Sequence, residues 1–202
     1  MSDAAAITLK TYGRLAEQKL AIPLQPLDPQ AGKARVESFL LRTGRPLPRV
    51  VVMGAEVALR CRQVDECGGT ATGVDGSAAV IELARKLYPQ GEFLVGDARS
   101  LPVATNSFDG AWTESVFMHV PRAEVARAMS SMHRALRPGG LLYVRLALGE
   151  REGFEHSAQG EIFRARWDAT EFEQVLNSLD FTLQHSETLP DNEAGMFFRR
   201  EY

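Results

Sequence analysis

Hydrophobic residues between positions 49 and 146 follow two alternating patterns. Short, unbroken apolar runs such as 50–53 are typical of strands that are buried on both faces of a sheet. Several of these runs are followed by a segment with apolar residues at helical spacing, for example Val80, Ile81 and Ala84. This alternation predicts an α/β fold whose mostly parallel sheet is doubly wound, with helices on both faces.

Five strands are predicted in this region. They span residues 50–53, 70–74, 92–95, 108–112 and 141–146. Right-handed crossovers place the turns between strands and helices along one edge of such a sheet. The turns after Met53, Val74 and Val95 are therefore expected to lie together, at the edge where sheets of this kind bind ligands.

The flanking segments have a different character. Residues 1–30 predict an N-terminal cap made of a short helix and a proline-rich connector, and residues 31–202 predict a single domain. Within that domain, the polar and glycine-punctuated segment 149–166 predicts a mobile loop or arm. Two aromatic-containing segments after residue 180 predict a C-terminal antiparallel hairpin, whose last strand, with Phe197 and Phe198, either completes its own sheet or pairs across a homodimer.

Composition narrows the classes of function. The chain has 202 residues, of which 45% are hydrophobic and 24% charged, as expected of a globular domain with a real core. The formal net charge of −3 weighs against a nucleic-acid partner. No apolar run approaches the ~20 residues of a membrane span, and the first residues do not resemble a secretory signal, so a cytoplasmic location is expected. The four histidines show no metal-ligand spacing, so no metal is predicted.

Five sequence motifs lie at the ends of the predicted strands and helices: Gly73–Ser77, Gly96–Pro102, Ser107–Trp112, Met118–Pro121 and Leu136–Leu142. They resemble the motifs of class I S-adenosylmethionine (SAM) dependent methyltransferases, and the downstream segments are similar to a small bacterial branch of that family. Their order and spacing need no gaps, and the resemblance covers roughly three quarters of the chain. It implies a Rossmann-like, seven-stranded sheet, SAM as the cofactor and methyl transfer as the activity.

The resemblance also implies roles for single residues of the nucleoside site. Asp75 matches the acid that accepts both ribose hydroxyls, and Asp97 matches the carboxylate that receives the adenine amino group. The Ala98 N–H matches a donor to an adenine ring nitrogen, Gly54 matches the turn at the methionine end, and Tyr12 matches a tyrosine of the N-terminal cap. For both aspartates the alternative is an acid at a helix N-terminus, favoured by the helix dipole.

Several cofactor positions depart from the family pattern. Val52 stands where the first strand usually ends in an acid, Glu56 and Ala58 replace two glycines of the first turn, and Gly76 replaces a large aliphatic residue that packs on adenine. Crowding at Glu56 and the lost contact at Gly76 together cost about 3–4 kcal/mol of the binding free energy of SAM. This loss is enough to raise a micromolar dissociation constant to a nearly millimolar one. Alternatively, Glu56 points outward as an ordinary first-turn acid.

Glu114 and His119 follow the fourth strand and are the catalytic candidates. His119 is either a general base near neutral pH or a framework histidine bonded to the backbone. Glu114 is either an active-site carboxylate that also contacts the cofactor or a solvated loop acid. Two functions follow: a SAM-dependent methyltransferase that acts on a small molecule, or a methyltransferase-fold protein with a degraded SAM site. The second would be a non-methylating enzyme, a ligand-binding protein or a scaffold for a partner.

Overall fold

The computed structural model describes residues 3–17, 29–54, 57–157 and 160–202. Its helices are α1 (Asp3–Glu17), α2 (Pro29–Arg42), α3 (Val57–Glu66), α4 (Ala78–Leu87), α5 (Arg122–Ala135) and α6 (Ala169–Asn177), with a short 3-10 helix at Phe117–His119. Its strands are β1 (Arg49–Met53), β2 (Thr70–Asp75), β3 (Glu92–Val95), β4 (Phe108–Thr113), β5 (Leu136–Ala147), β6 (Glu152–Ser157), β7 (Gly160–Ala165), β8 (Phe181–Leu189) and β9 (Glu193–Arg200). In the ranges described, no helix is long and apolar enough to cross a bilayer.

Seven of these strands form one sheet in the order β3-β2-β1-β4-β5-β9-β8. Strands β1 to β5 are parallel, whereas β9 runs antiparallel between β5 and β8. The order reverses between β1 and β4, and sheets of this type bind ligands in the crevice beyond the carboxyl ends of the strands at such a reversal. The Rossmann-like, doubly wound sheet predicted from the sequence is confirmed.

Helices cover both faces of the sheet. Val50 and Val52 of β1 pack into the cluster formed with α2, α3 and α4, while Val51 and Met53 pack into the cluster on the side of α5 and α6. Side chains alternate along a strand, so burial on both faces requires an unbroken apolar run. Val52, where the family has an acid, is a core residue with 1% of its surface exposed.

The start of α4 fixes the turn after β2. Ser77 caps the helix, and its hydroxyl accepts the N–H of Val80 at 3.4 Å. The backbone N–H of Ser77 in turn donates to Oδ1 of Asp75 at 2.8 Å. The carboxylate at the end of β2 is thereby held in one orientation by the helix that follows it.

The C-terminal hairpin is also present. The turn between β8 and β9 contains Asp191 and Asn192 in the left-handed region, a conformation that these residues tolerate well. Phe197 and Phe198 are buried, and β9 pairs with strands of its own chain on both sides. Of the two arrangements expected for the last strand, the structure therefore has the one that completes its own sheet; the homodimer stays a prediction.

Segment 149–166, expected to be a loop or arm, contains a two-stranded antiparallel hairpin, β6–β7. Phe154 and Phe163 pair across it, with ring centroids 5.5 Å apart. The hairpin docks on α1, where the hydroxyl of Thr8 accepts the Phe163 N–H at 2.9 Å and the hydroxyl of Thr11 donates to the Glu161 carbonyl at 2.8 Å. The described residues of the hairpin form no hydrophobic core of their own, and the hairpin is stabilised by this docking on α1. Its sequence is therefore polar and does not predict strands. Mobility of the segment stays a prediction.

Candidate active site

A cavity of about 100 Å³ lies beyond the carboxyl ends of β1, β2 and β3. Asp75, Asp97 and Ala98 line it from the sheet side, as the family resemblance implied. Tyr12 lines it from α1, and His119 lines it from the 3-10 helix that follows β4. Residues far apart in sequence thus meet at the edge where the turns were expected to converge.

Asp75 is the most perturbed acid of this cavity. Burial raises the pKa of its carboxyl group from 3.8 to about 6, although the hydrogen bond from the Ser77 N–H acts in the opposite direction. No ion pair of Asp75 is found within the described part of the chain. A buried carboxylate without a cation is stabilised by neutral donors such as the two hydroxyls of a ribose.

Asp97 is held by a strong partner that the sequence did not reveal. Nε of Arg99 lies 2.9 and 3.1 Å from the two oxygens of Asp97, and the guanidinium also bonds to Glu124. The hydrogen bond from Arg99 lowers the pKa of Asp97 despite the opposing effect of its burial. Asp97 is therefore a fixed anion, and the neighbouring Ala98 backbone lies at the cavity wall.

Tyr12 and His119 form a hydrogen-bonded pair at the cavity wall. Nδ1 of His119 lies 2.8 Å from the Phe163 carbonyl, which can only accept, so Nδ1 carries the proton. Nε2 is therefore the acceptor for the Tyr12 hydroxyl, 3.0 Å away. Burial lowers the pKa of His119 to about 4, so the ring is neutral at pH 7. The hydrogen bond to the Phe163 carbonyl matches the alternative of a framework histidine bonded to the backbone, whereas the role of His119 as a general base near neutral pH stays a prediction.

Gly54 occupies the first turn in a conformation that requires glycine. Its φ is +117°, and an added Cβ would lie 2.2 Å from the carbonyl oxygen of Glu114. Glu56 lies outside the described residues, whereas Ala58 is buried in α3. The missing side chain at Gly54 thus lets the first turn lie against the backbone after β4, and the role of Gly54 at the methionine end of SAM stays a prediction.

The side chain of Glu114 does not reach the cavity. Nε of Arg60 lies 2.5 Å from its carboxylate, and both side chains are buried. The other carboxylate oxygen of Glu114 has no hydrogen-bond partner among the described residues. Glu114 is therefore not the solvated loop acid of the alternative interpretation, and its predicted roles in catalysis and cofactor binding stay predictions.

Gly76 lines the cavity beside Asp75, as expected, but the space of its absent side chain is filled by Leu9 of α1. Sequence reasoning missed Leu9, Arg99 and Phe163 as parts of this site. Arg99 carried a detectable signal, because it follows Asp97 by two residues in a tight turn. Leu9 and Phe163 carried none, since their positions depend on the docking of α1 and β7.

Comparison with known proteins agrees with this architecture. Residues 52–144 match the family described as methyltransferase domain. Demethylmenaquinone methyltransferase from Chlorobaculum tepidum is 38% identical over 78 residues, which are 38% of this chain and 31% of that protein. The chain matches only 23% to 31% of the length of the first three curated relatives.

Two solved structures share the fold. The 1,6-didemethyltoxoflavin-N1-methyltransferase of Burkholderia thailandensis, with bound 1,6-didemethyltoxoflavin and S-adenosylhomocysteine, has a TM-score of 0.77 at 18% identity and covers 98% of this chain and 89% of its own. The (4+2)-cyclase SpnF has a TM-score of 0.67 at 19% identity and covers 85% of this chain and 82% of its own. The resemblance to class I SAM-dependent methyltransferases is thus confirmed: the chain has their fold, and residues 52–144 match the methyltransferase domain family.

Proposed function

We propose that this protein binds SAM in the cavity described above and transfers its methyl group to a small-molecule acceptor. The observation that carries the proposal is the half-buried carboxylate of Asp75, which faces the cavity without an ion-pair partner among the described residues and has a pKa raised to about 6. Keeping such a group costs stability, so a ligand that supplies hydrogen-bond donors is its most direct explanation.

The residues present fit the nucleoside half of the cofactor. Asp75 would accept the ribose hydroxyls, while the fixed carboxylate of Asp97 and the Ala98 N–H would meet the edge of the adenine. Gly54 would let the backbone approach the methionine end. Bound SAM would supply an electrophilic methyl group, and the chain's own residues need only hold the acceptor in line and exclude water.

Tyr12 and His119 are proposed to face the reacting end of the cavity. A neutral His119 with Nδ1 bound to the Phe163 carbonyl keeps its Nε2 lone pair directed at the Tyr12 hydroxyl. Because burial opposes charging of the ring, His119 is better suited to orienting Tyr12 than to storing a proton.

The small-molecule acceptor is supported by the proteins that resemble this chain. The Burkholderia structure contains 1,6-didemethyltoxoflavin, and the Chlorobaculum relative is named for demethylmenaquinone. Neither acceptor is assigned to this protein. The N-terminal helix and the β6–β7 hairpin, which dock on each other above the cavity, are the elements that we expect to choose the acceptor.

One observation favours a second candidate, a methyltransferase-fold protein that does not use SAM. The cavity of about 100 Å³ is smaller than the ~300 Å³ at which ligand pockets usually begin. SpnF, which is named as a cyclase, shares this fold. In this case the cavity would hold a ligand smaller than SAM.

Calorimetric titration with SAM and S-adenosylhomocysteine separates the two candidates. The proposed function predicts micromolar binding by the parent chain and at least a tenfold loss in Asp75→Asn. Asp191→Asn, in the exposed turn before β9, is the matched control and should bind as the parent does. Absence of binding at millimolar ligand would overturn the proposal and favour the second candidate.

A further inference from the structure

Leu9 and Gly76 are complementary in shape. A Cβ built on Gly76 would lie 2.8 Å from Cδ2 and 3.0 Å from Cδ1 of Leu9. Contacts this short are incompatible with any side chain at residue 76 unless Leu9 moves. The side chain of Leu9 therefore occupies the space that a side chain following Asp75 would take.

The glycine at this position is explained by that contact and not by the backbone. Gly76 does not lie in the left-handed region, so other residues could adopt its conformation. Gly54 differs in this respect, because its positive φ alone would favour glycine. At Gly76 the preference for glycine comes from the contact with Leu9, which lies on α1.

One face of α1 forms the wall on this side of the cavity. Ala5, Leu9 and Tyr12 line it at positions i, i+4 and i+7, which share a face of a helix. Thr8, between them, bonds to the Phe163 N–H of β7, and Tyr12 bonds to His119. These two bonds fix the rotation of α1 about its axis and hold Leu9 over the end of β2.

Leu9 has no place in the protein core. It is half-buried and belongs to none of the hydrophobic clusters formed by the described residues, whereas Leu15 and Ala16 on the same helix are core residues. Its apolar surface faces a cavity whose polar groups, Asp75 and Asp97, flank it. An apolar side chain kept at such a place is suited to contact a flat, apolar ligand surface.

We propose that Leu9 is a specificity-determining residue that contacts the purine base of the nucleoside, in place of a side chain at residue 76. This inference rests on the proposed function, since it requires an adenosyl ligand with its ribose on Asp75. It makes α1, already docked by Thr8 and Tyr12, a part of the binding site.

Calorimetric titrations test this exchange of side chains. The four proteins compared are the parent, Leu9→Ala, Gly76→Leu and the double variant. The probes are S-adenosylhomocysteine and adenosine. Leu9→Ala should weaken both ligands by about 5- to 30-fold, because the base loses its apolar contact. Gly76→Leu alone should also weaken them, because the new side chain collides with Leu9. The double variant should return to within about threefold of the parent, a non-additive result expected of residues in contact.

Leu41→Ala is the matched control, because Leu41 lies on α2 with 82% of its surface exposed and should leave affinity unchanged. Thermal unfolding of each variant verifies that it is folded at the temperature of titration. The inference is overturned if Leu9→Ala binds as the parent does or more tightly, or if the double variant shows the sum of the two losses. A parent that binds neither probe overturns the proposed function as well, so the two failures are distinguishable.

Discussion

Arg60 and Glu114 form a buried ion pair, with Nε of Arg60 2.5 Å from the carboxylate. Arg60 extends from α3 and also donates to Gln63 at 2.7 Å, while Glu114 directly follows β4. The pair thus joins the helix after β1 to the end of β4, the two strands on either side of the reversal in strand order. Glu114 consequently has a structural reason to be an acid, in addition to its predicted role in the site.

Glu114→Ala should lower the free energy of unfolding by about 3–5 kcal/mol, because it leaves a buried guanidinium without its counter-ion. Glu114→Gln, which keeps the shape and one acceptor, should lose less. Urea unfolding at pH 7 measures both. As a control, Glu66→Ala breaks the exposed pair with Lys33 and should change stability by less than ~1 kcal/mol. If Glu114→Gln unfolds like the parent but has lost turnover at unchanged ligand affinity, the carboxylate acts in catalysis rather than in stability.

Asp75→Asn should stabilise the free protein at pH 7. The folded pKa of about 6 lies above the ordinary value of 3.8, so the folding free energy that Asp75 contributes becomes less favourable as the pH rises from about 4 to about 6. Asparagine avoids this cost, which amounts to up to about 3 kcal/mol. Thermal unfolding at pH 7 should show a higher midpoint for the variant, and unfolding at pH 4 should show none of this gain. A variant less stable than the parent at pH 7 would contradict the assignment of Asp75 as a strained, ligand-directed acid.

Affinity for S-adenosylhomocysteine should rise with pH between about 5 and 7. Ribose hydroxyls donate to the ionised form of Asp75, so binding lowers its pKa and releases a proton. Below pH 6 the affinity should change nearly tenfold per pH unit. Titration calorimetry in two buffers of different ionisation enthalpy measures the proton released. His119 does not interfere, because its pKa of about 4 keeps it neutral in this range. Equal affinity at pH 5 and pH 7 would argue against a ribose on Asp75.

The sheet and the edge at which the cavity lies are predictable from the sequence because both depend on local patterns. Apolar runs fix the strands, and residues such as Asp75 and Asp97 meet because parallel strands end at one edge. The packing of α1 against the β6–β7 hairpin could not be predicted from such local patterns. Phe163 reaches His119 only because β7 packs on α1, and no periodicity in either segment encodes that contact.

The sequence also did not specify toward which partner a side chain points. Glu114 follows β4 directly, as a cavity residue would, yet it pairs with Arg60, 54 positions away in the sequence. From the sequence, Gly76 implies that a contact with adenine is lost. Leu9, which fills the space of the missing side chain, lies on α1, and the sequence does not specify how that helix docks. In both cases the position of the backbone was predictable, whereas the partner of the side chain depended on tertiary packing.

His119 should titrate with a pKa near 4 in the folded protein. Its stabilising effect is fully present above the ordinary value of 6.5 and is lost as the pH falls toward about 4, because burial disfavours the charged ring. Nuclear magnetic resonance of the ring should show a proton on Nδ1 throughout. Tyr12→Phe removes the donor to Nε2 and should raise the pKa of His119, since the neutral form loses a hydrogen bond. A pKa at or above 6.5 in the parent would instead support His119 as a general base that stores the proton.

Gly54→Ala and Gly44→Ala together test the close approach at the first turn. Both glycines have positive φ, +117° and +67° respectively, so alanine is strained at either position. At Gly44 no described atom lies within 4 Å of the added Cβ, and the cost should be about 1 kcal/mol without any effect on ligand affinity. At Gly54 the Cβ would lie 2.2 Å from the Glu114 carbonyl, so the end of β4 must shift.

Gly54→Ala should therefore lose at least about 3 kcal/mol of stability, or retain its fold with S-adenosylhomocysteine affinity reduced more than tenfold. Urea unfolding and titration calorimetry on the same preparations measure the two quantities. Gly44→Ala gives the ordinary cost of an alanine in the left-handed region, and the larger loss expected at Gly54 combines stronger backbone strain at φ +117° with the contact with the Glu114 backbone. If the two variants behaved alike in stability and in binding, the backbone after β4 would not be held against Gly54, and the cavity would lack one of the walls on which cofactor binding depends.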